Sequence, residues 1–159
     1  MHRHAVELRP LNESDDELLR SLEQQQEDVW EFIGTLPTPD AGRAHHLFAV
    51  MEGEASVGIA GLVRTQALDG RDYELLCAMR SEAQLHGFAK QACRLVLAWS
   101  FETAKLERVI ACIDDSNESA RAIAATLGMS ALCAGPPHRT VYVKYRGERS
   151  SGTRRARAS

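Results

Sequence analysis

Hydrophobic and polar positions follow two kinds of pattern along the chain. Short apolar runs bounded by Gly, Pro, Asn or Asp indicate strands, and apolar residues at helical spacing after a capping residue indicate helices. The predicted order is β-α-α-β-β-β-α-β-α-β-β, with strands over 6–11, 46–52, 56–66, 73–80, 108–113, 130–134 and 140–145. Helices are predicted from Asn12 or Ser14 to Gln26, over 28–33, over 88–103 and from about 118 to 127. In the helix over 88–103, the apolar residues at helical spacing are Phe88, Ala92, Leu95, Val96 and Trp99.

Two of these strands mark the middle of the sheet. The runs 73–80 and 108–113 are apolar at almost every position instead of alternating, which is typical of strands covered on both faces. Each is followed by a predicted helix. We therefore expect one domain with a central sheet flanked by helices.

Composition and length agree with one globular domain. The chain has 159 residues, of which 44% are hydrophobic and 26% charged. No apolar run is long enough to cross a bilayer, and the first residues do not form a secretory leader, so a cytoplasmic location is expected and no membrane partner is expected.

Cysteines and histidines do not form a recognisable metal site. No CxxC, HxxxH or HExxH spacing is present, so no metal is predicted. The cysteines lie among apolar neighbours and are interpreted as small buried side chains in a reducing compartment. They are Cys77, Cys93, Cys112 and Cys133.

The C-terminal end differs in charge from the rest of the chain. Residues 146–159 contain five arginines and one glutamate, although the whole chain has a net charge of −3. We predict a domain over 1–146 and a basic, disordered tail over 147–159. The alternative is an unrelated α+β protein that binds nucleic acid through the tail, but a nucleic-acid partner is not expected.

The most informative motif is Q-L-H-G-F-A at 84–89, between the central strand and a long helix. A glycine loop that opens a helix presents free backbone N–H groups and the positive end of the helix dipole, which suit a pyrophosphate. The chain has neither the GxxxxGKS/T pattern of P-loops nor a GxGxxG after the first strand. The alternative is that Gly87 is an ordinary turn residue.

A second segment extends the motif to a family resemblance. A strand is followed by Asn117-Glu118-Ser119 and by a helix ending in Leu127-Gly128-Met129. Both segments and the order of elements from 6 to 145 resemble the GNAT N-acetyltransferases, and more closely their Rim-type branch. The resemblance implies an α+β (α/β three-layer) GNAT fold, with a mixed, mostly antiparallel sheet of about seven strands and about four helices.

The resemblance also implies acetyl-CoA as co-substrate. The loop and helix start would bind its pyrophosphate, the backbone of the central strand would bind the pantetheine arm, and an asparagine would bind the same arm or simply cap its helix. The implied cofactor-binding residues are Leu76, Cys77, Met79, Gln84, Leu85, His86, Gly87, Phe88, Ala89 and Asn117.

Catalytic roles follow from the same resemblance. Glu74, at the start of the central strand, is the candidate base for the attacking amine, with Glu82 as a less favoured substitute. The tyrosine that many family members place after the asparagine is absent between 117 and 128. Ser119 is the candidate that assists the leaving thiolate, directly or through water, and Tyr142 and Tyr145 are distant alternatives.

The acceptor is expected to be a protein N-terminus or a small-molecule amine. Acidic and aromatic residues precede the second strand and suit a cationic acceptor, although any exposed helix has a similar composition. They are Glu23, Glu27, Asp28, Trp30 and Glu31. The alternative function is a catalytically silent module that binds acetyl-CoA and regulates a partner protein. The sequence leaves both a monomer and a homodimer open.

Overall fold

The computed structural model describes residues 5–24, 46–80, 87–135 and 138–148. The strands in these ranges are β1 Glu7–Pro10, β2 His46–Glu52, β3 Ala55–Thr65, β4 Asp72–Met79, β5 Arg108–Asp114, β6 Ser130–Gly135 and β7 Arg139–Tyr145. The α-helices are α1 Asp16–Gln24, α2 Phe88–Glu102 and α3 Glu118–Thr126, and a 3₁₀ turn over Glu13–Asp15 leads into α1.

These strands form one seven-stranded sheet in the order β1-β2-β3-β4-β5-β7-β6. Neighbouring strands are antiparallel except β4 and β5, which are parallel and are connected through α2. The predicted α+β class with a mixed, mostly antiparallel sheet is therefore confirmed. The insertion of β7 between β5 and β6 was not predicted.

The predicted strands and helices match those of the structure to within one or two residues at most ends. The strand predicted to lie at the sheet centre is β4, in which every residue from Leu75 to Met79 is buried. The predicted helix over 28–33 lies outside the described residues, as do the last two residues of the first predicted helix. Three α-helices in the described ranges are thus compared with about four predicted for the whole chain.

The two faces of the sheet are covered differently. Val109, Ala111 and Ile113 of β5 belong to the main core, together with the buried residues of α2 and α3. The intervening residues Ile110 and Cys112 point to the opposite face, where they form a smaller cluster with buried residues of β7. Glu74, the register partner of Ile110, lies on this second face.

Helix α2 packs through a stripe that is slightly rotated from the predicted one. Ala92 and Val96 are buried as their spacing predicted, but Leu95 is 38% exposed. Cys93 and Leu97 turn inward in its place. The helix contacts β3 and β4 most extensively, which fixes its first turn near the end of β4.

Three of the cysteines are buried as predicted, and Cys133 is not. Cys77, Cys93 and Cys112 are buried, whereas Cys133 is exposed. The prediction was wrong for Cys133 because it lies on β6, which forms one edge of the sheet and whose residues are almost all exposed.

The end of the described chain is a turn after β7. The carbonyl oxygen of Glu148 accepts a hydrogen bond from Lys144 Nζ at 3.2 Å. The predicted tail lies outside the described residues from 149 onward. Among the described helices, none combines the length and the apolarity that a membrane crossing requires.

Candidate active site

The parallel strands β4 and β5 separate soon after they meet. Their one register pair in the described residues is Glu74 with Ile110. On its other edge, β4 is paired with β3 along its whole length, through to Met79 and Gly58. Beyond Glu74, no further register pair joins the described residues of β4 and β5, so the two strands diverge.

Strand alternation identifies which backbone groups face this gap. The Arg80 N–H donates to the Val57 carbonyl of β3 at 2.8 Å. Since successive residues of a strand direct their N–H and C=O groups to opposite sides, Cys77 and Met79 direct theirs toward β5 and Leu76 directs its own toward β3. All three side chains are buried. Of the predicted strand residues, Cys77 and Met79 thus direct backbone groups toward the gap, and Leu76 does not.

The glycine of the motif is placed directly at the start of α2. Gly87 is the N-cap residue and has a left-handed backbone with φ of 78°. A Cβ at this position would meet no atom within 4 Å, so the need for glycine is conformational and not a matter of space. The first N–H groups of α2 have no partner inside the helix, which is the arrangement that a pyrophosphate requires.

The remaining motif residues divide into two groups. The Phe88 side chain is buried in the main core, and the Ala89 carbonyl lies 4.0 Å from the Cys77 thiol of β4. These two residues fix the helix start against the strand. Gln84, Leu85 and His86 lie outside the described residues, and so does Glu82.

Asn117 and Ser119 lie at the start of α3, across the gap from β4. The Asn117 side-chain oxygen accepts a hydrogen bond from the Ala120 N–H at 3.0 Å, so this residue caps the helix. A cap uses only the oxygen of the amide, and its NH₂ group is of the type that suits a carbonyl of the pantetheine arm. Ser119 is exposed on the first turn of α3.

Glu74 is half-buried on the face of the sheet that carries the smaller apolar cluster, at the point where β4 and β5 separate. Burial raises the pKa of Glu74 above its ordinary value, and this effect exceeds the opposing effects of the Thr65 hydroxyl, the charge of Arg139 and the Cys112 thiol. A carboxyl group in this state is suited to accept a proton near neutral pH.

The three neighbours of Glu74 were missed by the sequence analysis. Thr65 Oγ1 accepts a hydrogen bond from the Ala67 N–H at 3.2 Å, and its hydroxyl group favours the ionised form of Glu74. Burial, together with the charge of Glu74, raises the pKa of the Cys112 thiol to about 12. The thiol is therefore protonated at neutral pH. No local motif marks these residues, because only the register of the sheet brings them to Glu74.

The two tyrosines considered as alternatives lie elsewhere. Tyr142 pairs with Ala111 and packs against the main core, which places it on the opposite face of the sheet from Glu74. Tyr145 is beside Arg108, which forms an ion pair with Asp72 at the other end of β5. Neither tyrosine is placed to reach the gap beyond Glu74. The acidic and aromatic residues proposed for the acceptor site belong to segments outside the described residues, apart from Glu23, whose side chain is not described.

Comparison with protein-family models identifies the family of the chain. The model of the acetyltransferase (GNAT) domain matches residues 5–130. The chain belongs to the GNAT acetyltransferase superfamily. The match covers β1 to the start of β6 and therefore includes Glu74, the glycine motif, Asn117 and Ser119, but not Tyr142 or Tyr145.

Solved structures show the same GNAT fold at low sequence identity. An acetyltransferase from Agrobacterium tumefaciens is 20% identical, with a TM-score of 0.72 over 91% of this chain and 93% of that chain. The ribosomal-protein-S5-alanine acetyltransferase from Vibrio fischeri is 13% identical, with a TM-score of 0.70 over 93% of this chain and 97% of that chain. Spermidine N-acetyltransferase from Vibrio cholerae, in complex with CoA and spermine, is 16% identical, with a TM-score of 0.69 over 89% of this chain and 95% of that chain. No curated protein sequence is significantly similar to the chain.

Proposed function

We propose that this protein is an acetyl-CoA-dependent N-acetyltransferase that acetylates a primary amine by direct attack in a ternary complex. The observation that carries the proposal is the position of Glu74: a half-buried carboxyl group whose pKa is raised by burial, located where β4 and β5 separate. A base is needed because an alkylamine is mostly protonated at neutral pH and must lose a proton to attack.

Groups of this chain are proposed to hold the co-substrate along the gap. Cys77 and Met79 would bind the pantetheine arm by their backbone, the start of α2 at Gly87 would bind the pyrophosphate, and Asn117 would use its amide NH₂ group. Gln84, Leu85 and His86 complete the proposed pyrophosphate loop, with Phe88 and Ala89 fixing its end against β4. Acetyl-CoA supplies the activated acetyl group as a thioester.

The reaction is balanced without a further reagent. The Glu74 carboxylate first takes one proton from the ammonium group of the acceptor. The neutral amine nitrogen then forms a bond to the acetyl carbonyl carbon, and the bond from that carbon to sulfur breaks. The departing thiolate takes up a proton, and the nitrogen loses its second proton. Ser119 is the proposed donor, directly or through a water molecule, and its hydroxyl regains the proton that the nitrogen releases; it is exposed on the first turn of α3, close to the proposed cofactor-binding cap.

The acceptor class follows from the chemistry of the site and from its relatives. Two structural neighbours are named for an alanine of a ribosomal protein and for spermidine, so a protein N-terminus and a polyamine are the two acceptors to test. The first would place the protein in the Rim-type branch. The acidic residues between 23 and 31 favour a cationic acceptor of either kind.

We further propose that 1–146 is the acetyltransferase domain and 147–159 a basic tail without a role in acetyl transfer. The protein is proposed to act in the cytoplasm, as a monomer or homodimer, with no metal, membrane or nucleic-acid partner. A variant truncated after Arg146 should retain full acetyl transfer. A tail that binds nucleic acid would instead give salt-dependent binding that the truncation removes.

A catalytically silent acetyl-CoA-binding module is the second candidate. It is favoured by one observation, the absence of a tyrosine between 117 and 128, where many GNAT enzymes have their proton donor. Such a module would bind acetyl-CoA and a partner protein but would release no CoA with any amine.

Two measurements test the proposal in sequence. Acetyl-CoA at ~100 times its dissociation constant should stabilise the protein by about 2.7 kcal/mol, a rise of several degrees in Tm, whereas adenosine diphosphate serves as the control. Thiol release is then measured with spermidine, with a peptide that begins with a free alanine, and with the same peptide blocked at its N-terminus. Release with one free amine supports the enzyme, binding without release supports the silent module, and absence of binding contradicts both.

A further inference from the structure

The width of the gap between β4 and β5 depends on how each of the two strand ends is fixed. In the described residues, β4 is paired with β3 up to Met79, and β5 is paired with β7 up to Asp114. Beyond Glu74, neither strand has a register partner on the side of the gap. A strand end with a neighbour on one edge only can shift, unless further contacts hold it in place. Each of these two ends carries such contacts.

Arg80, the residue directly after β4, fixes the end of that strand. Its backbone N–H donates to the Val57 carbonyl at 2.8 Å, and its Nε donates to the Ser56 carbonyl at 2.9 Å. Its Nη1 donates to Ser21 Oγ of α1 at 2.9 Å. The bonds to Ser56 and Val57 hold the end of β4 against β3, on the side away from β5. The bond to Ser21 attaches it to a second element.

Helix α1 is itself firmly anchored, so it is a fixed point for Arg80. Asp15, just before the helix, is buried and accepts a bidentate pair of hydrogen bonds from Arg9 of β1. Leu18 and Leu22 of α1 are buried in the main core. The guanidinium of Arg80 therefore connects the end of β4 to a helix that is held at its start and along its apolar face.

The end of β5 is fixed to its outer neighbour in the same way. Asp115 directly follows β5, and its N–H donates to the His138 carbonyl at 2.8 Å. The Asp115 carboxylate accepts a hydrogen bond from the Thr140 hydroxyl of β7 at 2.7 Å. The two separating strands are thus each bonded away from the gap, β4 toward β3 and β5 toward β7.

We propose that Arg80 and Asp115 are positioning residues that hold β4 and β5 apart at a fixed width, which preorganises the backbone of Cys77 and Met79 for the pantetheine arm. The role of the cofactor in this inference rests on the proposed function. A site that is fixed before its ligand arrives binds more tightly, because less conformational freedom is lost on binding. Loosening either strand end should weaken acetyl-CoA binding. It should change kcat little at saturating acetyl-CoA, since Glu74 lies where the strands are still paired.

Three variants loosen the strand ends and keep the net charge. Ser21→Ala removes the bond from Arg80 to α1, and alanine favours the helix, so α1 itself is not weakened. Thr140→Val removes the bond to Asp115 and keeps a β-branched residue on the strand. Arg80→Lys keeps the cation but cannot donate from two nitrogens to Ser56 and Ser21 together.

The main readout is the dissociation constant for acetyl-CoA, measured by calorimetry well below Tm. It should rise several-fold in each of the three variants, with kcat at saturating acetyl-CoA close to the wild-type value. Residues with a merely structural role would lower Tm and leave the affinity of the folded protein unchanged. Attraction of the cofactor by the charge of Arg80 alone would leave the affinity of Arg80→Lys at the wild-type value.

Two matched controls make the same chemical changes at exposed positions. Arg20→Lys repeats the arginine substitution on α1, one residue before Ser21, and Ser130→Ala removes a hydroxyl group from β6. Neither side chain lies at the separating ends of β4 and β5. Both controls should bind acetyl-CoA with wild-type affinity.

Amide hydrogen exchange in the free protein tests the strand ends without the cofactor. In Arg80→Lys and Ser21→Ala, the amides of Ala78 and of residue 80 should exchange several-fold faster, because both face β3 at the end of β4. In Thr140→Val, the Asp115 amide should exchange faster. The exchange of all these amides should be unchanged in the two controls.

Wild-type affinity for acetyl-CoA in Ser21→Ala or Arg80→Lys would contradict the role of Arg80, and in Thr140→Val the role of Asp115. The proposed function fails separately. Weaker binding in the variants of a protein that transfers no acetyl group contradicts that function alone, and an active enzyme whose variants keep wild-type affinity contradicts this inference alone. If the wild type binds no acetyl-CoA, the proposed function fails, and unchanged hydrogen exchange in the variants would separately contradict the fixing of the strand ends.

Discussion

The side chains of Glu74 and Cys112 lie on the same face of the sheet, on two neighbouring strands that have just begun to separate. Burial, together with the charge of Glu74, raises the pKa of the Cys112 thiol to about 12, so the thiol stays protonated at neutral pH. Burial also raises the pKa of Glu74. The protein therefore keeps the charge of Glu74 at neutral pH at a cost to its stability.

The first prediction concerns that cost. Because the pKa of Glu74 is raised in the folded state, the folded protein binds this proton more tightly than the unfolded chain. The stability of the folded protein should therefore fall as pH rises from the ordinary pKa of glutamate through the raised pKa of Glu74. Above that pH range, the loss of stability remains. Glu74→Gln should be more stable than the wild type at neutral pH, and a gain of ~0.5 kcal/mol corresponds to about 1–2 °C in Tm.

The control for this prediction is Glu54→Gln, since Glu54 is exposed in the turn between β2 and β3. Thermal unfolding is followed for the three proteins between pH 4 and pH 8. The advantage of Glu74→Gln should shrink toward pH 4, and Glu54→Gln should follow the wild type. A difference between Glu74→Gln and the wild type that does not vary with pH would show that burial of the charge does not determine the pKa of Glu74.

A second prediction separates the two roles of Asn117. Asn117→Ala removes the cap of α3 and should cost about 1 kcal/mol of stability. Asn117→Asp keeps an oxygen for the Ala120 N–H and adds a negative charge that suits a helix N-terminus, so its stability should be close to that of the wild type. It lacks the amide NH₂ group, and its affinity for acetyl-CoA should fall. If calorimetry shows that Asn117→Asp binds acetyl-CoA with the wild-type affinity, Asn117 acts only as a helix cap.

A third prediction follows from the exposure of the cysteines. Cys133 is exposed on the edge strand β6, and Cys77, Cys93 and Cys112 are buried. Iodoacetamide should therefore modify one site in the native protein and all four after denaturation, as counted by mass spectrometry. In Cys133→Ser, the native protein should remain unmodified over the same time. Modification of Cys112 at a comparable rate would contradict both its burial and its raised pKa.

A fourth prediction compares two arginine–carboxylate pairs at the same end of the sheet. Arg108 forms a bidentate pair with Asp72, which is only 7% exposed, whereas Arg146 pairs with Glu107, which is 82% exposed. Arg108→Leu leaves a buried carboxylate without its cation and should cost about 3 kcal/mol. Arg146→Leu should cost less than about 1 kcal/mol. Urea unfolding measures both, and equal costs would mean that burial does not distinguish the pairs.

Local sequence patterns were sufficient for most of the fold. The apolar run of β4, the glycine at the start of α2 and the cap at Asn117 are each determined by a few consecutive residues, and their predictions agree with the structure. The exposure of Leu95 and Cys133 was not predictable in this way. It depends on the rotation of a packed helix and on which strand forms the edge of the sheet.

The same distinction between local patterns and long-range packing applies to the candidate site. Glu74 was proposed as the base because it opens the central strand, close to where the family resemblance implies a glutamate, and the predicted backbone positions around Cys77 lie along the strand gap. Thr65, Cys112 and Arg139, which affect the pKa of Glu74, were missed because they lie on three other strands. Pairing between β5 and β7 passes over β6, which comes between them in the sequence, and no periodicity within either strand indicates it.

The central claim is that Glu74 is the base of acetyl transfer, and Glu74→Gln tests it most directly. Gln has nearly the same shape but cannot accept the proton, so kcat should fall about 10²–10⁴-fold while the dissociation constant for acetyl-CoA stays at its wild-type value. The remaining activity should lose the acidic limb of the wild-type pH profile. A variant that keeps the wild-type kcat and the same acidic limb would contradict the claim.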